Sequence, residues 1–571
     1  MKIRTLTVVV AALSLGQVAP ALRQGSGQAL RQGSGQAPDL ILHNARIYTV
    51  DANRQTAEAI AIRGDRIVRV GANTEVLPLR GSATRVIDVS GGTIVPGLED
   101  AHGHFTGLGS SMQSIDLRGT TTYEQVVGMV RQRAATARPG EWIVGRGWDQ
   151  NDWPEKQWPT HELLSAASPN NPVYLTRVDG HAGLANRRAL DLAGVTESTP
   201  DPAGGRLIRA GSNRPSGVLI DTAQSLVSSK IPPVSTAQLE EQILLADREM
   251  RRLGLTMVHD AGTDNRTVDA YKRLIDAGRL KTRLYVMLRG PLPTLQPALD
   301  KGPILDYGNH HLAVRAIKVV ADGALGSRGA AMLEPYSDEP GTTGLLTTPP
   351  DEVYAQTLAA SKAGFQTAIH AIGDRANRLV MEVFERVQRE VPGSRALRMR
   401  NEHAQILDGA EIPRFAALNV IASMQPTHAT SDMPWVQARI GQDRMAEGAY
   451  VWRKLMTAGA MIASGSDFPV ELPNPLLGFY AAITRRDPKG QPTDGWMPDE
   501  RMTRDEALAS LTRNAAFAAH AETHLGTLEV GKLADLVVLS KDIMRIAPSE
   551  ILTTTVRMTI VGGEVVYSAT P

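Results

Sequence analysis

Two histidines one residue apart, His102 and His104, close the run Thr93-Ile-Val-Pro-Gly-Leu-Glu-Asp-Ala-His-Gly-His104. In an extended strand residues i and i+2 point to one face, so both imidazoles can reach a single metal ion beyond the strand's end. A chain with 13 histidines in 571 residues produces such neighbours by chance. The pair therefore gains weight only if other ligand-type side chains fall at comparable places. They do: Lys318, His370, His403 and Asp467 each sit in or just after a separate short apolar run. Taken singly each has a structural reading, as a hydrogen-bonded core histidine (His370, His403), a solvent-facing strand lysine (Lys318) or a helix N-cap before Phe468-Pro469 (Asp467). Cysteine is absent. That removes thiolate ligands, a thiol nucleophile and disulfides, and leaves His, carboxylate or a modified side chain to hold an ion.

The runs that must position these residues read as strands alternating with helical patterns: Thr256–Asp260, Arg283–Met287, Val314–Val320, Gln366–His370, Met399–His403, Val420–Ser423 and Met461–Asp467, with the strand before His102 as an eighth. Such alternation predicts an α/β fold, a (β/α)8 barrel over 96–524 whose chemistry lies at the C-terminal ends of its strands. The stretch from about 110 to 250, between the first and second strands, exceeds what one helix needs, and predicts an inserted subdomain over the mouth. Short alternating strands in 39–95 and again in 525–571 are each too small to be stable alone, and predict one small composite β-sandwich built from both chain ends.

Lys2 and Arg4, the apolar run Leu6–Leu15 and Ala19-Pro-Ala21 read as a signal peptide over 1–21, so that a periplasmic or secreted location is expected. Residues 21–36 repeat the octet Ala21-Leu-Arg-Gln-Gly-Ser-Gly-Gln28, and 22–38 reads as a flexible linker. No later run of about 18 apolar residues predicts a stable membrane span. Lys+Arg number 61 against Asp+Glu 60, a balance that gives no electrostatic reason to expect nucleic acid and favours a small-molecule substrate. A homo-oligomer is left open.

Pro96-Gly-Leu-Glu-Asp-Ala-His-Gly-His104, Arg177-Val-Asp-Gly-His181, Lys318-Val-Val-Ala-Asp-Gly-Ala-Leu-Gly-Ser-Arg328, His370-Ala-Ile-Gly-Asp-Arg-Ala-Asn377, Asn401-Glu-His-Ala-Gln405 and Ser464-Gly-Ser-Asp467 follow one another in the order seen in a known family. Over nearly its whole mature length the chain resembles the amidohydrolase superfamily, and within it the N-substituted formamide deformylase-like branch, amidohydrolase family 3. The resemblance implies a binuclear site, usually zinc, with other divalent metals as alternatives. His102, His104 and Asp467 would hold one ion, His370 and His403 the other, and a carboxylated Lys318 would bridge them. The ions would acidify water and polarise an amide-like carbonyl, with Asp467 carrying the proton to the leaving nitrogen. His181 is a further catalytic candidate.

Arg328, Trp148, Asp149 and His428 are substrate-binding candidates, although for Arg328 an internal carboxylate is the favoured partner. Trp153 and Trp158 extend Trp148 towards an aromatic lid, with packing of the insertion as the equal alternative. His259-Asp260 is expected behind the metals. Glu99, where relatives carry a different residue, is expected to add a carboxylate beside the site. The remaining six histidines (His43, His161, His310, His311, His520, His524) read as surface or packing residues. Hydrolysis of an amide, N-formyl or N-acyl C–N bond leads. The alternatives are a mononuclear deaminase of the same superfamily and a catalytically silent exported metal- or ligand-binding protein.

Overall fold

The computed structural model describes residues 36–569 apart from 54 and 212. The expected signal segment and all but the last residues of the linker lie outside the described residues. Eight parallel strands form a near-closed barrel: β1 Leu98–Gly103, β2 Leu255–Thr263, β3 Arg283–Arg289, β4 Leu312–Val320, β5 Gln366–Ala371, β6 Arg400–His403, β7 Ile421–Met424 and β8 Ile462–Ser464. Each pairs with the next in chain order, the arrangement that short right-handed βα crossovers produce. The strands are buried along most of their length because helices cover the outside and side chains fill the inside. Helix Asp374–Glu390 shows how: Ala376, Val380, Phe384 and Val387 recur at helical spacing and are all buried. Such side chains contribute about 1.5–3 kcal/mol each.

The ladder stops between β8 and β1, and the segment after β8 seals the gap. Asp467 N donates to His102 O at 2.7 Å and His104 N to Phe468 O at 2.8 Å. The Asp100 carboxylate accepts from Ser466 Oγ at 2.6 Å and from the Ser466 and His102 amides at 3.1 and 3.0 Å. Gly465 makes this approach feasible, since a Cβ there would stand 2.4 Å from His102 N.

The expected run through to His102 is in fact two strands. Thr93–Pro96 pairs with Leu536–Leu539 and Arg46–Tyr48 in the sandwich, and β1 begins only after Gly97. A Cβ at Gly97 would meet Thr256 Oγ1 at 2.1 Å, so the chain crosses from one domain to the other where only glycine fits. The sandwich has a four-stranded sheet (Leu40–His43, Ala59–Arg63, Arg66–Gly71, Arg85–Asp88) facing a six-stranded one to which Leu536–Leu539, Val556–Val561 and Glu564–Ser568 contribute. Leu42, Ile47, Ile60, Ile94, Leu536 and Ile560 meet between them. Arg283 at the base of β3 ties barrel to sandwich by a buried bidentate pair with Asp535, at 2.8 and 2.9 Å.

The insertion carries its own six-stranded sheet, in the order Gly205–Ala210, Arg214–Asp221, Ala182–Ala185, Val173–Arg177, Ile143–Trp148, Ile115–Asp116. Helix Thr236–Arg252, inside the expected 110–250 span, instead packs Leu239, Ile243, Ala246 and Met250 on the barrel. The barrel therefore resumes earlier than its second strand suggested. Among the described residues no helix is long and apolar enough to cross a membrane.

Candidate metal centre

His102 lies in β1, and His104 stands directly before helix Phe105–Ser111. That turn is pinned by Asp260 of β2, which accepts from Phe105 N at 3.0 Å and from Tyr271 Oη at 2.8 Å. Asp467 Oδ1 is 3.0 Å from His104 Nε2 and 3.7 Å from His102 Nε2. One ligand atom from each of the three lies within 4.8 Å of the others, and the same holds for His403, His428 and Asp467. The first group is the set expected for one ion. In the second, His428 of helix Pro426–Asp432 stands where His370 was expected. His370 is nevertheless beside it, with its ring 4.5 Å from that of His403 and its Nε2 3.5 Å from Asp322 Oδ1. Lys318 Nζ is 3.3 Å from His102 Nε2, so the lysine does reach the cluster.

The residues fit a divalent cation. Asp467 Oδ1, His370 Nε2 and His428 Nε2 are buried without a hydrogen bond, a state that costs about 1–3 kcal/mol per atom unless a ligand takes it up. His102 and His403 each turn Nδ1 to a fixed acceptor, Glu402 Oε2 at 2.5 Å and Gln425 Oε1 at 2.8 Å, leaving Nε2 as the ligating atom. Burial, with Lys318 and neighbouring histidines as further causes, holds His102, His370 and His403 well below the usual histidine range, so these imidazoles are neutral with lone pairs free. Burial pushes the Asp467 carboxyl up, but the close approach of His104 and the other nearby histidines, His102 and His428, outweighs it and keeps the group ionised. Burial lowers the Lys318 ammonium to about 8.

Behind His102 runs a wholly buried polar chain. Glu402 accepts from Arg400 Nε at 2.7 Å and NH2 at 3.1 Å, and Arg400 NH1 is 2.8 Å from His259 Nδ1. His259 thus stands two residues removed from His102. Glu99 does not lie beside the site: its Oε2 points inside the barrel, 3.7 Å from His259 Nε2, and Glu99 is not among the residues lining the cleft. Its neighbouring charges are Asp535, Arg283 and Lys532 at the sandwich end of the barrel, so it lies below His102 and not beside it.

The centre floors a cleft of about 830 Å³, with a second space of about 250 Å³ on the far side of Asp467 and His403. His181, on the turn between two strands of the insertion, enters from above with its ring 5.0 Å from that of His370. Its Nδ1 is 2.6 Å from Asp221 Oδ1. Burial opposes protonation of His181, but the Asp221 hydrogen bond and the charges of Asp221, Asp179 and Asp322 raise it above the usual histidine value. Asp221 has φ +49°, and its carboxylate rests where a Cβ on Gly323 or Gly329 would be. The glycines after β4 therefore make room for it. Burial lifts Asp322 to about 7 against three backbone amides that hold it, from Ala331, Ile372 and Gly373.

The other substrate-binding candidates are occupied elsewhere. Arg328 binds Asp338 at 3.0 Å and Glu339 at 3.3 Å, and Asp149 pairs with Arg177, which also holds Asp179 at 2.5 Å. Trp148 is fully buried in the insertion, donates to Leu175 O and packs against Trp153 and Trp158, so this cluster is core and not lid. None of the six remaining histidines lines the cleft. Reading by residue type missed Glu402, Gln425, Asp322 and Asp221. The first and third lie inside motifs already singled out, whereas nothing near Asp221 marks it.

A family model described as "Amidohydrolase family" matches residues 85–567. The chain is 35% identical over 541 residues to Protein LONG AFTER FAR-RED 3 of Arabidopsis thaliana, covering 93% of this chain and 91% of that one. It is 30% identical over 542 residues to the N-substituted formamide deformylase of Arthrobacter pascens, covering 93% and 99%. Its fold superposes on an uncharacterized metal-dependent hydrolase from Pyrococcus horikoshii with TM-score 0.72 and 26% identity, over 89% of this chain and 99% of that one. With its eight-stranded barrel and the histidine–aspartate cluster at the strand ends, the chain belongs to the amidohydrolase family.

Proposed function

We propose that this protein is a binuclear zinc-type hydrolase that cleaves the C–N bond of an amide, N-formyl or N-acyl compound. The observation that carries the reading is the convergence of His102, His104, Lys318, His370, His403 and Asp467 on one point at the barrel mouth, with ligand atoms left unpartnered. The name of the deformylase relative is consistent with that substrate class. Bound ions would supply Lewis acidity, bringing the pKa of water towards neutrality and polarising a carbonyl oxygen.

The chain's own groups do the rest. Asp467, kept ionised, takes the proton of the attacking water on a carboxylate oxygen and returns it to the leaving nitrogen. His181, with Nδ1 engaged by Asp221, presents Nε2–H towards the centre and donates to the carbonyl oxygen as negative charge develops there. Lys318 must shed its ammonium proton before its amine can add to carbon dioxide, and burial has already lowered that step to about pH 8. The carbamate so formed would be an anionic bridging ligand.

The test is metal analysis of the purified chain beside a screen of N-formyl, N-acyl-amino-acid and cyclic amide substrates. About two zinc ions per chain with amide cleavage, abolished by chelation and restored by zinc, is expected. One metal with ammonia release from a ring amidine, or bound metal with no turnover on any substrate, overturns the proposal.

A further inference from the structure

Most arginines around the site are committed to a protein acceptor: Arg177 to Asp149 and Asp179, Arg328 to Asp338, Arg400 to Glu402. Arg289 is different. It is the last residue of β3, at the end of the barrel where the metal cluster lies, and it lines the same cleft as His102 and Lys318. Among the described residues its guanidinium makes no hydrogen bond or ion pair, and its side chain reaches solvent through the cleft. No acid in the cleft is left for it, because Asp179 is held by Arg177, Asp221 by His181 and Asp467 by His104. Its direction is set by packing. At Gly262, φ +123°, a Cβ would stand 3.2 Å from Arg289 Cδ and 3.5 Å from Lys318 Cγ, so glycine lets the two stems lie side by side. Arg146 adds a second positive charge to the cleft wall; one of its terminal nitrogens donates to Val178 O and its Nε is buried without a partner.

We infer that Arg289 is a specificity-determining residue that binds an oxyanion, typically a carboxylate, on the substrate. This rests on the C–N hydrolase reading and narrows it to anionic N-acyl compounds such as N-acyl amino acids. A planar fork with no internal partner matches a carboxylate through two parallel hydrogen bonds, and a neutral substrate would leave the guanidinium unpaired in a partly desolvated cleft. Asp467 and a Lys318 carbamate would offset part of the charge brought by two divalent ions, so the cleft keeps a positive potential that an anionic substrate satisfies.

The test compares N-benzoylglycine with its methyl ester on the zinc-loaded full chain, reading kcat/KM from benzoate release, for wild type, Arg289→Gln and Arg289→Lys. Wild type should prefer the acid, and Arg289→Gln should cut the acid-to-ester ratio by about 10- to 100-fold. Arg289→Lys should fall between, and zinc content should stay at the wild-type level in both variants. Equal losses on acid and ester, a fall in zinc content, or no preference for the acid in the wild type overturns the inference and leaves C–N hydrolysis standing; loss of zinc would place Arg289 as an internal partner of a Lys318 carbamate. If the wild type cleaves neither compound, the hydrolase reading fails for this class. Calorimetric binding of N-benzoylglycine then decides: weakening by the same factor in Arg289→Gln supports the anion site, and equal or absent binding refutes it.

Discussion

Glu402→Gln removes one charge from the most deeply buried part of the centre without changing shape. The carboxylate takes the Nδ1–H of His102 on Oε2 at 2.5 Å and Arg400 on both oxygens, at 2.7 and 3.1 Å. A glutamine amide must present its NH2 to one of these donors. Facing His102, it drives the imidazole to the tautomer with the proton on Nε2, which cannot ligate. Facing Arg400, it leaves a buried guanidinium with half its acceptor. Loss of such a supporting partner typically weakens metal binding about 10- to 100-fold, or about 1.4–2.7 kcal/mol. Breaking the buried ion pair adds a stability cost of up to about 3–5 kcal/mol. Zinc affinity by chelator competition and unfolding by denaturant, measured on the same preparations, separate the two effects. A purely structural role would lower stability while the folded variant bound zinc as tightly as wild type. Wild-type affinity in the folded variant would refute the claim that Glu402 orients His102.

Asp467→Asn should retain most of the bound metal, read by elemental analysis, while turnover falls on the order of 10²- to 10⁴-fold as the proton acceptor is lost; near-normal turnover would remove Asp467 from proton transfer. Asp221→Asn takes away the charge that raises the His181 pKa. Because the proposed role needs the proton on His181, and the variant loses it at lower pH, the alkaline limb of the kcat/KM profile should move to lower pH with a loss of about 10-fold above it; an unmoved limb would exclude His181 as the donor. Gly465→Ala puts a Cβ 2.4 Å from His102 N and 2.6 Å from Asp100 Oδ1. It should cost about 1–3 kcal/mol or more in denaturant unfolding and weaken zinc binding together with it.

How much of this was legible in the sequence depended on whether a residue's neighbours in space were also marked in the chain. The eight barrel strands were readable because short apolar runs alternate with helical patterns, and five of them carry a ligand-type residue in or just after the run, the end a barrel converts into proximity. His102, His104 and Asp467 were therefore placed together from 365 positions apart. Asp221 was not, because it approaches His181 through the antiparallel pairing of Arg214–Asp221 with Ala182–Ala185, strands not consecutive in the chain, and an aspartate at a strand end has no signature of its own. Trp148 and its neighbours read as well for a lid as for a core, since three aromatics at close spacing say nothing about which side of a sheet they cover. Glu99 was misjudged for a simpler reason: three residues before His102 on β1 it sits deeper in the barrel, near Arg283 and Asp535, and sequence proximity says nothing about depth.

At the seam the candidate ligand residues His102, His104 and Asp467 are also the residues that close the barrel. A barrel of parallel strands must join its last strand to its first, and here the ladder gives way to backbone bonds donated by Asp467 N to His102 O and by His104 N to Phe468 O, with Asp100 clamping Ser466. His102 in the first strand, His104 just after it and Asp467 just after the eighth strand would be three ligands for one ion, which would then bridge the join. Burial raises the Asp100 carboxyl to about 7, which means the clamp is held against a desolvation cost and depends on its hydrogen bonds. Binding energy released at a cation there would be available to hold the seam shut. A chain of this kind can afford a short eighth strand, Ile462–Ser464, because closure is completed by side chains and a ligand set where backbone pairing ends.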